Sequence, residues 1–135
     1  QKIPVTGAVI VTTPQDIATL DARKALKMFE KLDIAVLGLV ENMAVHVCTN
    51  CGHAEHIFGE GGAARMSAQY GVPVLGALPL EIAIREQGDA GKPIVAANPG
   101  SAAAQAYRDV ARALLARLHE RPKLRSGIMA SLLGG

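Results

Sequence analysis

Both cysteines of this 135-residue chain lie in one stretch, His46-Val47-Cys48-Thr49-Asn50-Cys51-Gly52-His53, spaced C-x-x-C with a histidine on either side. Thiolates are soft ligands that favour zinc, iron-sulfur clusters and cuprous copper, and a C-x-x-C turn lets two sulfurs approach one metal or two corners of a cluster. One such turn supplies half of a four-ligand shell, and three completions are open. A second copy related by a two-fold axis would bring Cys48 and Cys51 twice, giving four thiolates for one shared [4Fe-4S] cluster or one zinc. His46, His53 or His56 would instead join the two cysteines in a single-chain zinc site. The third completion is a redox dithiol, which calls for a helix N-terminus just after the cysteines to lower a thiol pKa, whereas Gly52-His53-Ala54 leads into more loop. Against all three stands a reduced, partly buried pair that binds nothing, with each histidine a solvated loop residue. The clustering of these residues with Gly52, where the apolar pattern breaks, favours a metal.

The surrounding chain reads as alternating strands and helices. "GAVIVTT" (7–13) and "IAVLGLV" (34–40) are short apolar runs rich in β-branched residues, as expected of strands buried on both faces of a parallel sheet. Between them, Thr13 is the expected N-cap, Pro14 the first helical residue and Asp16 the third, opening a helix to about Leu32. Its apolar face is expected to carry Ile17, Leu20, Ala25, Met28, Phe29 and Leu32, with Arg23, Lys24, Lys27 and Lys31 largely off it. A β-strand, crossover helix and second strand make a right-handed parallel unit. The Cys/His stretch, 44–58, reads as a loop or small hairpin that holds a metal. "EGGAARMSAQYG" is a short helix ended by Gly71, and "PVLGALP" a third strand. Residues 81–100 are turn-rich with a short helix at the start, and a last helix runs from Ser101 to about Glu120 with its stripe at Ala103, Tyr107, Val110, Ala111, Leu114 and Leu118. The tail 121–135 is expected to be disordered. The fold class is therefore α/β: part of a doubly wound parallel sheet, whose ligand crevice lies beyond the carboxyl ends of the strands, at Thr12-Thr13-Pro14, Glu41-Asn42-Met43 and Leu78-Pro79-Leu80.

Composition narrows the function classes. A net charge of +2 from 14 basic and 12 acidic residues, with no Trp and two each of Tyr and Phe, gives no electrostatic or stacking case for nucleic acid. No apolar run reaches ~18 residues and no signal peptide opens the chain, so no membrane partner is expected and the protein is expected to be cytoplasmic. In that compartment a close cysteine pair reads as a metal or redox site before a disulfide.

Six ordered elements, "TTPQD", "GLVENM", the C-x-x-C, "IFGEGG", "LGALPL" and "REQGDAGKP", over roughly residues 5–115, closely resemble the C-terminal half of the Mrp/ApbC family of iron-sulfur cluster carriers, which are MinD-like P-loop ATPases. The resemblance implies that residues 1–120 are the C-terminal part of a P-loop NTPase domain. It also implies a homodimer that binds ATP with magnesium in each subunit and carries a [4Fe-4S] cluster between paired C-x-x-C motifs for delivery to apo iron-sulfur proteins. Carried onto this chain, it makes Cys48 and Cys51 cluster ligands, puts Asn42 against the adenine base and lays Pro79-Leu80 over that base. Gln15 and Asp16 would lie near the phosphates or the dimer seam, although a helix cap serves equally for Asp16. Arg85 and Asp89 would face nucleotide or pair in a turn.

The departures are as informative. The family's Gly-rich phosphate loop with its lysine is not among these 135 residues. Gly91-Lys92-Pro93 cannot replace it, because the proline occupies the Ser/Thr position and removes an amide donor. Without that cradle and without an acidic strand end for magnesium, this chain alone is expected not to hydrolyse ATP. Thr49-Asn50 stands where many members place a proline between the cysteines, which alters turn stiffness more than ligand identity.

Overall fold

The computed structural model describes residues 3–133; beyond Glu120 only the backbone element is described, and the tail expected to be disordered at 121–135 lies outside the fully described residues. The elements in order are β1 (Ala8–Thr12), α1 (Asp16–Lys31), β2 (Val36–Glu41), β3 (His46–Val47), β4 (Ala54–Glu55), α2 (Gly62–Tyr70), β5 (Val74–Ala77), α3 (Ile82–Asp89), α4 (Ile94–Ala97) and α5 (Ala102–Leu133). β1, β2 and β5 form a parallel sheet in that order with β2 central, and β3 and β4 form a separate antiparallel hairpin. The apolar runs thus become the strands they predict, with the central β2 buried on both faces and the outer strands only in part, since Val11 of β1 and Val74 of β5 are 59% and 39% exposed. One face holds α1 and α2 around Ile10, Leu26, Leu39 and Met66; the other holds α5 around Val40, Leu75 and Leu78. Leu26, Leu39 and Met66 are fully buried, and each such side chain contributes about 1.5–3 kcal/mol relative to exposure.

α1 departs from its expected cap and face. The helix begins at Asp16 with Gln15 in the extended N-cap position and no side-chain cap bond, so Thr13 is not its cap. Pro14 is buried instead of opening the helix, and its carbonyl is pressed against the start of α2: a Cβ added at Gly62 would lie 2.4 Å from Pro14 O. The Asp16 side chain is fully exposed, 3.7 Å from Arg65.

The face turned to the sheet carries Thr19, Ala22 and Leu26, flanked by Ala25 and Phe29. Ile17, Leu20, Met28 and Leu32, expected in the core, are 74%, 49%, 48% and 54% exposed. The helix has two apolar stripes, and the sheet takes the one whose small members, Thr19 and Ala22, permit close approach. In α5, Ala103, Tyr107, Val110 and Leu114 face the core as expected, while Ala111 is exposed and Ala104 is buried in its stead.

Two irregularities in β2 matter for the site. Leu37 is skipped in the β1 pairing, and its carbonyl accepts a hydrogen bond from Arg117 Nε of α5 at 3.0 Å. At the carboxyl end, Met43 adopts φ 53°, an uncommon left-handed conformation for a residue with a side chain. Asn42 supports it, its Oδ1 accepting from Met43 N–H at 2.9 Å. This kink releases the chain from the β1 side of the sheet and starts the Cys/His segment.

Candidate metal centre

The expected loop or hairpin over 44–58 is a hairpin. His46 pairs with Glu55 and Val47 with Ala54, and the tip is closed by Cys48 N–H donating to His53 O and Gly52 N–H donating to Cys48 O, both at 2.9 Å. Gly52 sits at φ 73°, a left-handed turn position that suits glycine. The turn brings Cys48 and Cys51 together as free thiols, Cys48 half-buried and Cys51 exposed. Backbone N–H groups of Cys51 first, then Asn50, followed by the Cys51 thiol, donate toward the Cys48 sulfur and hold its pKa below the ordinary thiol range. These donors favour the thiolate, the form that ligates metal. Such a tip offers two sulfurs to a soft metal and leaves the other side of that metal open to solvent.

The histidines do not complete the shell. Among the described residues no group of three or more His, Cys, Asp or Glu side chains is placed to hold a metal ion, so the single-chain zinc alternative finds no support. His56 faces inward to the backbone, with Nδ1 2.9 Å from Ala44 O. A carbonyl only accepts, so Nδ1 carries the proton and donates. His56 Nε2 lies 2.7 Å from Glu60 Oε1, which engages the second ring nitrogen as well. His53 Nε2 is 3.5 Å from Glu55 Oε1. His46 belongs to the hairpin ladder. His56 is better described as a brace than as a ligand: it fastens the turn after β4 to the segment before β3.

The base of the hairpin is attached to the loop after β5. Leu78 N–H donates to Glu41 O at 2.8 Å, Ala44 N–H to Leu78 O at 2.9 Å and Leu80 N–H to Val45 O at 2.8 Å. A parallel bridge between His46 and Leu80 continues the series. The chain after the Met43 kink therefore resumes its run beside 78–80, and the cysteine hairpin grows out of the same ladder that carries Pro79-Leu80. Two sets of residues that the sequence offers separately, Cys48 with Cys51 and Pro79 with Leu80, are one unit in the fold.

Asn42 lies on the other side of the kink. Its backbone N–H donates to Thr12 O at 2.7 Å, and the residue lines a cavity of about 420 Å³ with Thr12 and Thr13; Pro79 and Leu80 do not line it. Among the described residues the Asn42 side-chain NH2 has no hydrogen-bond partner, so it remains a donor for a ligand. Arg85 and Asp89 pair with each other at 3.3 Å as expected, but across one turn of helix α3 and not in a loop turn.

One contact of this region gave no signal in the sequence. Glu41 ends β2, and its Oε2 accepts from Ala63 N–H, in the first turn of α2, at 2.9 Å. A carboxylate there meets an unsatisfied helix N–H and the positive end of the helix dipole. Glu41 thereby closes the return of the Cys/His segment: the chain leaves the sheet just after Glu41 and comes back at the helix that Glu41 holds. A capping search along the sequence looks for Ser, Thr, Asp or Asn next to the helix, and this cap comes from 22 positions upstream.

Comparison with known proteins agrees with this geometry. The model of the family described as ParA, NUBPL iron-transfer P-loop NTPase, matches residues 1–115. A protein of Pseudomonas fragi named iron-sulfur cluster carrier protein is 62% identical over 111 residues, which are 82% of this chain and 39% of that protein. The nucleotide-binding protein of Archaeoglobus fulgidus, solved in complex with ADP, superposes with a TM-score of 0.56 at 39% identity, over 64% of this chain and 36% of that one. The cell division ATPase MinD of Pyrococcus furiosus superposes with a TM-score of 0.64 at 28% identity, over 81% of this chain and 42% of that one. The chain thus spans about two fifths of the length of the proteins it matches. With a parallel α/β sheet, a C-x-x-C hairpin on its carboxyl edge and a family match over most of its length, this chain belongs to the ParA/NUBPL family of iron-transfer P-loop NTPases.

Proposed function

We propose that this chain is the cluster-holding part of an iron-sulfur cluster carrier, with the cluster as cargo and not as a resident catalyst. In this reading Cys48 and Cys51 of one copy and the same pair of a second copy supply the four thiolates of a bridging [4Fe-4S] cluster in a homodimer. The observation that carries it is the donor set itself: two adjacent thiols, one with its pKa lowered, on an exposed tip where no third ligand of the same chain gathers. A cluster held at exposed tips by two thiolates of each copy suits delivery, since the thiolates of an incoming apo protein can displace one copy's pair. Apo iron-sulfur proteins are accordingly the acceptors.

The nucleotide side of the reading rests on Asn42, Pro79 and Leu80. The free amide of Asn42 is suited to a base edge, and Pro79-Leu80 supplies an apolar wall at the adjacent strand end. ATP would take these contacts here and find its phosphate cradle and magnesium in sequence beyond these residues, so hydrolysis is assigned to the longer protein and not to this chain. The proposed compartment is the cytoplasm; among the described residues no helix is long and apolar enough to cross a membrane.

Anaerobic reconstitution with iron and sulfide tests the reading. The expected result is a broad charge-transfer absorbance with about two irons per chain, dimerisation on loading, and loss of both in Cys48→Ala or Cys51→Ala. Replacing His46, His53 and His56 together by Ala is expected to leave iron uptake intact. Uptake of one zinc per monomer that disappears with the histidines would overturn it.

A further inference from the structure

The apolar stripe that α1 turns away from the sheet forms the floor of a groove. Leu20, Met28 and Leu32 of α1 and Tyr70 at the end of α2 line a surface cavity of about 650 Å³, and its remaining lining is Arg23, Lys24, Lys27 and Lys31. The floor is apolar and every charged residue of the rim is a cation. Two of the lysines lean on carboxylates of their own helix, Lys24 on Asp21 at 3.8 Å and Lys27 on Glu30 at 3.3 Å, in exposed pairs. Exposed pairs of this kind are worth well under ~1 kcal/mol and exchange readily for a new partner. Lys27 also lies 5.2 Å from the centre of the Tyr70 ring, over the floor. Arg23 Nε is buried and has no hydrogen-bond partner among the described residues.

We infer that this groove docks an amphipathic helix of a partner protein, with apolar residues along one face and carboxylates flanking them. The apolar floor takes the first and the cationic rim the second, the usual arrangement of a helix laid in a groove. From Leu20 to Leu32 the groove runs ~18 Å along α1 at ~1.5 Å per residue, the length of about three helical turns.

The test is fluorescence anisotropy of two labelled 16-residue helical peptides with the same leucine stripe, one flanked by glutamates and one by lysines, titrated with the chain. The acidic peptide is expected to bind, to weaken as salt rises from about 0.05 to 0.3 M, and to lose about tenfold or more in affinity, ~1.4 kcal/mol, in the double variant Lys24→Glu, Lys31→Glu. Leu20→Ser with Met28→Ser is expected to lose binding without loss of helical circular dichroism, since both side chains are about half exposed. Equal binding of both peptides, no binding of the acidic one, or indifference to the variants overturns the inference. Binding of the acidic peptide to this chain but not to a longer protein that contains it would assign the groove to the rest of that protein and overturn the inference. Vesicles of mixed zwitterionic and anionic lipid that displace the acidic peptide would reassign the surface to membrane, and concentration-dependent dimerisation that excludes the peptide would reassign it to a second copy. The measurement needs no iron, so its outcome is independent of the cluster reading.

Discussion

Replacing Glu41 by Ala should loosen the cysteine segment at its return point without touching a thiol. The substitution removes the acceptor for Ala63 N–H, which belongs to a residue 1% exposed and cannot turn to water in place. Loss of a hydrogen bond to a charged group costs about 1.5–3 kcal/mol, and loss of a carboxylate at a helix N-terminus about 0.3–1 kcal/mol. These describe one interaction from two sides and do not add, so the expected destabilisation is about 1.5–3 kcal/mol. For a chain of this size that is a drop of roughly 5–12 °C in Tm. Glu41→Gln keeps an acceptor and loses the charge, so it should fall between Ala and the parent. Urea unfolding followed by far-UV circular dichroism measures this as a lower midpoint at unchanged slope. Limited proteolysis should show cleavage within 42–61 rising in the Ala variant first. An Ala variant within ~0.3 kcal/mol of the parent, or a Gln variant less stable than Ala, would refute the assignment of Glu41 as the cap of α2.

Cys48 is expected to alkylate with iodoacetamide before Cys51 near neutral pH, read by peptide mass spectrometry, because backbone donors from Cys51 and Asn50 stabilise its thiolate. Since the folded pKa is lowered, the thiolate's contribution to the tip is complete above the ordinary thiol pKa and lost as pH falls through the lowered value; on acidification both alkylation rates should fall while the preference for Cys48 persists, and the preference should shrink as pH rises through the ordinary thiol range. Gly62→Ala, normally favourable in a helix by up to ~1 kcal/mol, should instead lower Tm, because its Cβ would meet Pro14 O at 2.4 Å and Thr19 Cγ2 at 2.9 Å. Arg117→Met keeps the apolar stem but leaves Leu37 O without its donor, and should cost about 1–2 kcal/mol in chemical denaturation, with Lys recovering only part of it.

What the sequence determined by itself is whatever is written locally. The strands at 8–12, 36–41 and 74–77 follow from apolar β-branched runs, α2 from its periodicity and the left-handed Gly71 that ends it, and the C-x-x-C from its spacing. These features depend on neighbours within a turn or two of chain, where backbone sterics and side-chain period act directly. Tertiary structure alone decided which of the two apolar stripes of α1 meets the sheet, since both Ala22-Leu26-Phe29 and Leu20-Met28-Leu32 have helical spacing and only the depth available over Ile10 and Leu39 separates them. It also decided that Glu41 caps a helix 22 residues away and that Ala44, Val45 and His46 run beside Leu78 and Leu80. Backbone hydrogen bonds between segments more than thirty residues apart carry no side-chain signature, because every residue but proline offers the same donor and acceptor. The thiols were legible from their type; the ladder that roots their hairpin beside Pro79 and Leu80 exists only once the chain has folded.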